Sequence, residues 1–223
     1  MPTSSPIQQA NSTNQFSGSF SFQPHPTHSP MAYTVTPTPL EGVLLLQPKV
    51  FGDERGFFFE SFNQADFAAS CGVNHTFVQD NHSRSSRGVL RGLHYQDPKP
   101  QGKLVRVISG EVYDVAVDLR LGSKTFGQWY GVYLNAQTHQ QLWIPPGLAH
   151  GFLVVSESAE FLYKTTDYWH PEHEKGLLWN APELNIAWPL EKLQSQTPSA
   201  QPTLAAKDAN AWSWTKTKEF LNA

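Results

Sequence analysis

The chain has 223 residues, 39% of them hydrophobic and 13% aromatic, enough to close one sizeable core but marginal for two. A formal net charge of −3 supplies no global positive field, which argues against non-specific binding of nucleic acid. Cys71 is the single cysteine, excluding an intramolecular disulfide and a cysteine-rich zinc site, and no apolar run approaches the roughly 20 residues needed to span a bilayer, so a soluble, cytoplasmic protein is expected.

The opening stretch, MPTSSPIQQANSTNQFSGSFSFQPHPTHSP, carries no charged side chain and is dominated by Ser, Thr, Gln, Asn and Pro. It lacks the basic start and apolar core of a secretion signal. Phe16, Phe20 and Phe22 are too scattered to offset the entropy of ordering it. Residues 1–32 are therefore expected to be a disordered extension ahead of a single domain over 33–223.

Within that domain VLLLQPKVF is the first β-rich run, and FNQADFAAS reads as a short helix with Asn63 as N-cap and Gly72 just past its end. KLVRVISGEVYDVAVDL follows, where Ser109-Gly110 between two apolar runs predicts a hairpin. WYGVYLN, QLWIPP, GFLVV and AEFLYKTT complete a series of short strands set apart by Gly, Pro, Asn and Ser. QSQTPSAQP, within residues 194–202, reads as a surface loop before a short C-terminal segment. Strand–helix alternation and a glycine-rich phosphate loop are both missing, so the fold class is mainly β: an antiparallel sandwich or jelly roll with a few short helices.

Charge is unevenly spread. Arg84, Arg87, Arg91, Lys99, Lys103 and Arg106 fall in one segment against the single carboxylate Asp97. A charge run is usually a solvated face. His94 and Lys103 lie inside this one, however, and arginine's fork matches phosphate, so a small phosphate-bearing ligand is expected.

PPGLAH, ending at His150, fits the P-x-G-x-x-H turn of metal-binding jelly rolls. Those proteins add two histidines two residues apart and a glutamate, whereas Tyr95 and Gln96 follow His94, and no ligand spacing relates His139 to His150. A metal site needs at least three protein ligands, and two are found, so no metal is expected. A lone histidine in an apolar run is ordinarily a core residue; beside phosphate-binding cations and a tyrosine, His94 also has the makings of a general base.

RGVLRGLHYQ, QGKLVRVISGEVYDVAVDLR, QLWIPPGLAHGF and EFLYKTTDYW, with FGDERGFFFESFN and FVQDNHSRS before them, together resemble the dTDP-4-dehydrorhamnose 3,5-epimerase family, also called dTDP-6-deoxy-4-keto-hexulose 3,5-epimerase, from about Thr34 to about Asp208. The resemblance implies a cupin-type jelly roll, a homodimer, no metal and no organic cofactor. It implies as substrate dTDP-4-dehydro-6-deoxy-D-glucose, whose C4 ketone acidifies the hydrogens at C3 and C5. In that family's pattern His94 is the base, Tyr163 the proton donor, and Lys103 stabilises the oxyanion at C4. Arg55, Glu60, Gln79, Asp80, Asn81, Arg91, His150 and Glu174 correspond to substrate contacts, and Trp169 is placed to stack on thymine. Asp114 is expected beside the site.

The tail of the family often reads S-x-K-D, with the aspartate paired to the base; here it reads Ala205-Ala206-Lys207-Asp208, and the role carries to Asp208. The family's I-D-W-P appears as Ile186-Ala187-Trp188-Pro189. Three other functions fit the same scaffold: an epimerase or ketoisomerase acting at one centre, a metal-dependent cupin enzyme, and a non-catalytic sugar-nucleotide-binding jelly roll.

Overall fold

The computed structural model describes residues 33–194 and 201–223. The expected N-terminal extension, residues 1–32, and most of the expected loop at 194–202 lie outside the described residues. The chain opens with β1 (Tyr33–Pro37) and β2 (Leu44–Pro48), then a small hairpin of β3 (Phe51–Asp53) and β4 (Gly56–Phe58). Helix α1 (Gln64–Cys71) follows, then β5 (Gln79–Ser86), β6 (Leu90–Gln96), β7 (Lys103–Ser109) and β8 (Glu111–Asp118). The rest comprises β9 (Trp129–Asn135), β10 (Gln141–Ile144), β11 (Leu148–Val154), β12 (Ser158–Thr165) and β13 (Glu174–Gly176), then α2 (Glu191–Gln194), α3 (Ala206–Ala209) and α4 (Trp214–Leu221).

These strands form a six-stranded sheet, β1-β2-β10-β7-β12-β5, facing a five-stranded one, β13-β6-β11-β8-β9. All the strand pairs are antiparallel, as a cupin-type jelly roll requires. Period-2 alternation assigns each residue a side. On β8, Val112 and Ala116 enter the core between the sheets, while Val115 and Val117 enter a second core on the outer face, under Trp179, Trp188 and Trp214. Burial on both faces is why Val115-Ala116-Val117 reads as an unbroken apolar run. A third cluster, Tyr33, Leu46, Phe67, Leu104 and Trp143, lies on the outer face of the six-stranded sheet. α1 closes it: Asn63 accepts from the Ala65 and Asp66 amides at 3.0 and 3.3 Å, and Gly72 ends the helix at φ 64°.

The Ser109-Gly110 hairpin expectation is overturned. β7 pairs with β10 and β12 in one sheet, and β8 with β11 and β9 in the other, so this corner carries the chain between sheets. Gly110 has φ 75°, and a Cβ there would stand 2.0 Å from the Ser158 carbonyl oxygen. The glycine serves a crowded crossing point as well as it would serve a hairpin, and the sequence signal is the same for both.

Candidate active site

A cleft of about 540 Å³ opens between the two sheets. Its five-stranded wall is set by an irregularity on β6. His150 pairs with His94 and Phe152 with Arg91, so β6 spends one residue more than β11 over that interval. Simple alternation would turn Arg91 and His94 to opposite faces; the extra residue brings both onto the cleft. Close packing of Gly92 against Gly151 permits this, since a Cβ on Gly92 would lie 2.5 Å from the Gly151 Cα. GVLRGLHYQ thus places an arginine and a histidine side by side.

His94 Nε2 lies 2.6 Å from Asp208 Oδ1, and Asp208 is almost wholly buried whereas the histidine side chain is 27% exposed. A carboxylate on one ring nitrogen holds the proton there and leaves the other nitrogen as the acceptor. Lys103 reaches from the opposite sheet to donate to the His94 carbonyl at 3.1 Å. Burial pushes the Lys103 ammonium down to about 8, against the opposing pull of Glu174 and Asp114. Tyr163, on the neighbouring strand β12 two residues along in register from Lys103 and facing the same cleft, has its phenol raised, chiefly by burial and then by the Glu174 charge, with Arg91 opposing. It therefore keeps its proton at neutral pH.

A second buried pair, His150 Nε2 with Asp114 at 2.9 and 3.0 Å, lies behind His94. His94 and His150 thus each have a carboxylate on Nε2. Among the described residues, no group of three or more His, Cys, Asp and Glu is arranged to hold a metal. His139 is elsewhere, packed between the rings of Phe57 and Phe59 at 4.6 and 4.8 Å.

The other sequence-predicted residues divide. Gln79, Asn81, Arg91, Trp169 and Glu174 line the cleft with His94, Lys103, His150, Tyr163 and Asp208. Asp80 alternates outward on β5 and pairs with Lys164 at 2.9 Å. Arg55 and Glu60 do not line the cleft of their own chain; Arg55 sits on the turn between β3 and β4, exposed and paired with Asp53. Of the six cations in the basic segment, Arg91 and Lys103 line the cleft and the others do not. On β7 the alternation that turns Lys103 inward turns Arg106 outward, over the Phe59 ring at 5.8 Å.

Three residues in and around the cleft support it, and none of them has a role assigned from the sequence. Ser85 takes the Arg91 Nε–H at 2.9 Å and so orients its guanidinium. Gln96 accepts from the His170 amide at 2.8 Å and donates to the Lys99 and Tyr168 carbonyls at 2.9 and 3.2 Å, pinning the loop around Trp169. Lys207 donates to Glu174 Oε1 at 2.6 Å. Burial raises the Glu174 carboxyl, but the Lys207 bond and charge, His94 and the Trp169 N–H outweigh it and hold it below the usual carboxylate range.

A family model described as dTDP-4-dehydrorhamnose 3,5-epimerase matches residues 37–216. The chain is 66% identical over 149 residues to the dTDP-4-dehydrorhamnose 3,5-epimerase of Pseudomonas aeruginosa, covering 67% of this chain and 82% of that one. It is 56% identical over 178 residues to the enzyme of the same name from Salmonella typhimurium, covering 79% and 93%. Among solved structures it is similar to dTDP-6-deoxy-D-glucose-3,5-epimerase from Legionella pneumophila Philadelphia 1 in complex with dTDP-4-keto-L-rhamnose, with a TM-score of 0.79 and 49% identity over 85% of this chain and 96% of that one. With the matched segment running from β1 into α4 and enclosing every cleft residue described above, this chain belongs to the dTDP-4-dehydrorhamnose 3,5-epimerase family.

Proposed function

We propose that this chain epimerises dTDP-4-dehydro-6-deoxy-D-glucose at C3 and C5 to dTDP-4-dehydro-L-rhamnose, a step of dTDP-L-rhamnose biosynthesis, in the cytoplasm. One observation carries the proposal: His94 and Tyr163 face a single cleft from opposite sheets. A sugar ring lying between them has an acceptor on one face and a donor on the other, which is what inversion at carbon demands.

In this reading the C4 ketone makes the adjacent C–H bonds acidic. The His94 nitrogen not held by Asp208 removes the proton, and the electron pair moves onto the C4 oxygen as an enolate. The Lys103 ammonium stabilises that oxygen; a positioned base contributes about 10²–10⁴ in rate, leaving much of the remainder to this electrostatic stabilisation. Tyr163 returns a proton from the other face. No electrons leave the sugar, so the route needs neither metal nor organic cofactor. Arg91, oriented by Ser85, suits the diphosphate, and the Trp169 ring, 55% exposed at the cleft mouth, suits thymine.

Arg55 and Glu60 also fit this reading if the protein is a homodimer. They sit on or beside the β3–β4 hairpin, whose Phe57 and Phe58 are 63% and 69% exposed, and an apolar hairpin of this kind favours burial against a second copy. One protomer's hairpin would then bring both residues to its partner's cleft.

The test is incubation with dTDP-4-dehydro-6-deoxy-D-glucose in D₂O containing EDTA. Deuterium should enter both C3 and C5. Label at one carbon would make this a single-centre epimerase, and label abolished by EDTA but restored by a divalent metal would overturn the metal-free route.

A further inference from the structure

α3 is a single turn of four residues, too short to be stable alone, and its N-cap Ala205 gives it no side-chain bond. The chain on either side is anchored by backbone pairing. Thr203 donates to the Gly88 carbonyl at 2.8 Å and accepts from the Leu90 amide at 3.0 Å, while Trp212 donates to the Gly176 carbonyl at 2.8 Å and accepts from the Leu178 amide at 2.8 Å. Between these anchors two adjacent side chains carry the turn onto the site: Asp208 to His94 and Lys207 to Glu174, each at 2.6 Å. The other Glu174 oxygen accepts the Trp169 indole N–H at 3.1 Å. Trp169 is itself fixed, its amide donating to Gln79 Oε1 at 3.0 Å.

We propose that Glu174 is the junction of a positioning relay: Trp169 and Lys207 engage its two oxygens, and through it Lys207 seats the uncapped turn that holds Asp208 against His94. This rests on the epimerase reading for the roles of His94 and Trp169. Glu174 then serves to orient, each of its oxygens accepting one bond of the relay, and Lys207 acts through Asp208. The relay spans the cleft from its mouth to the base.

The test uses Lys207→Met, Lys207→Arg, Trp169→Phe and Ala205→Ser in the full-length protein. Lys207→Met should lower kcat about tenfold, the scale at which orienting partners act, with the Kd for dTDP within about twofold of wild type. Lys207→Arg should keep most of kcat. Adding Ala205→Ser to Lys207→Met should recover most of the loss, because a serine N-cap seats the turn by another route. Trp169→Phe keeps a stacking ring and deletes the N–H, and combining it with Lys207→Met should cost no more than Lys207→Met alone. Proton NMR supplies a readout independent of turnover: the far-downfield proton of the His94–Asp208 hydrogen bond should shift in Lys207→Met and return with Ala205→Ser. An inactive wild type whose proton still responds this way would sink the epimerase reading and spare the relay. An unmoved proton, multiplicative losses, unchanged kcat, or a Kd for dTDP raised about tenfold in Lys207→Met would overturn the relay.

Discussion

Lys103 shows how one side chain links stability to chemistry. It is buried, its ammonium is pushed down to about 8, and its Nζ bonds the carbonyl of the residue proposed as base. The enolate needs the charged form, so kcat/KM should fall as pH rises through about 8, while Tyr163, raised from its ordinary value, titrates higher. Lys103→Arg should move that basic limb upward in a pH–rate profile; a limb that stays put belongs to another group. Stability runs the other way. The folded pKa lies below the unfolded 10.5, so the cost of burying the charge is fully present below about 8 and fades as pH rises toward 10.5. Lys103→Met should therefore unfold at or above the wild-type midpoint at pH 7, measured by thermal melting, while losing turnover. Of these residue-level features the sequence shows the lysine, the histidine and their family pattern. It does not show that Arg91 and His94 share a face, because that depends on one extra residue in β6 that no local propensity encodes.

At the scale of elements, legibility follows what a strand buries. β8 and β11, apolar on both faces, are plain in the sequence, as is α1 with its cap and terminal glycine. β5, QDNHSRSS, is not, because its inward residues Gln79, Asn81 and Ser83 line the cleft instead of the core, which removes the hydrophobic alternation that marks a strand. Ser109-Gly110 misleads for the opposite reason: local turn chemistry is right, and the partners that decide the topology are far away in sequence. The end of β8 is tied down by Asp118, fully buried, which accepts from Arg120 Nε at 2.9 Å, Ser123 Oγ at 2.5 Å and Thr125 Oγ1 at 2.6 Å. Burial raises its carboxyl, but these bonds outweigh burial and hold it down at about 2. Its contribution is thus present above the ordinary carboxylate range and lost as pH falls through about 2. Asp118→Ala strands the Arg120 charge and two hydroxyls, and should cost about 3 kcal/mol in urea denaturation at pH 7. A loss under about 1 kcal/mol would show that the loop repairs itself with water.

The described residues form two main sheets with a cleft between them, and three exposed phenylalanines share one small hairpin. Phe51, Phe57 and Phe58 are 54%, 63% and 69% exposed, beside an Arg55 that has no place in its own cleft. The FGDERGFFFE block is conspicuous in the sequence, but a single chain cannot say where its side chains go. If that hairpin completes a second copy's cleft, Phe57→Asp with Phe58→Asp should yield a folded monomer by light scattering, with turnover lost alongside the dimer. A variant that stays dimeric, or a monomer that turns over normally, would assign the hairpin another purpose. Fold class and site were legible together because the family pattern runs across both sheets, whereas the assembly lies beyond anything one chain's periodicity encodes.

The central claim is that His94 moves the proton. The most direct measurement compares His94→Ala with wild type for deuterium uptake from D₂O at C3 and C5, with dTDP binding followed by calorimetry on the same preparations. The account predicts no uptake at either carbon and a Kd for dTDP within about twofold of wild type, because the proposed thymine and diphosphate contacts lie on Trp169 and Arg91. Normal uptake in His94→Ala would contradict it and return His94 to the role of a packed core residue.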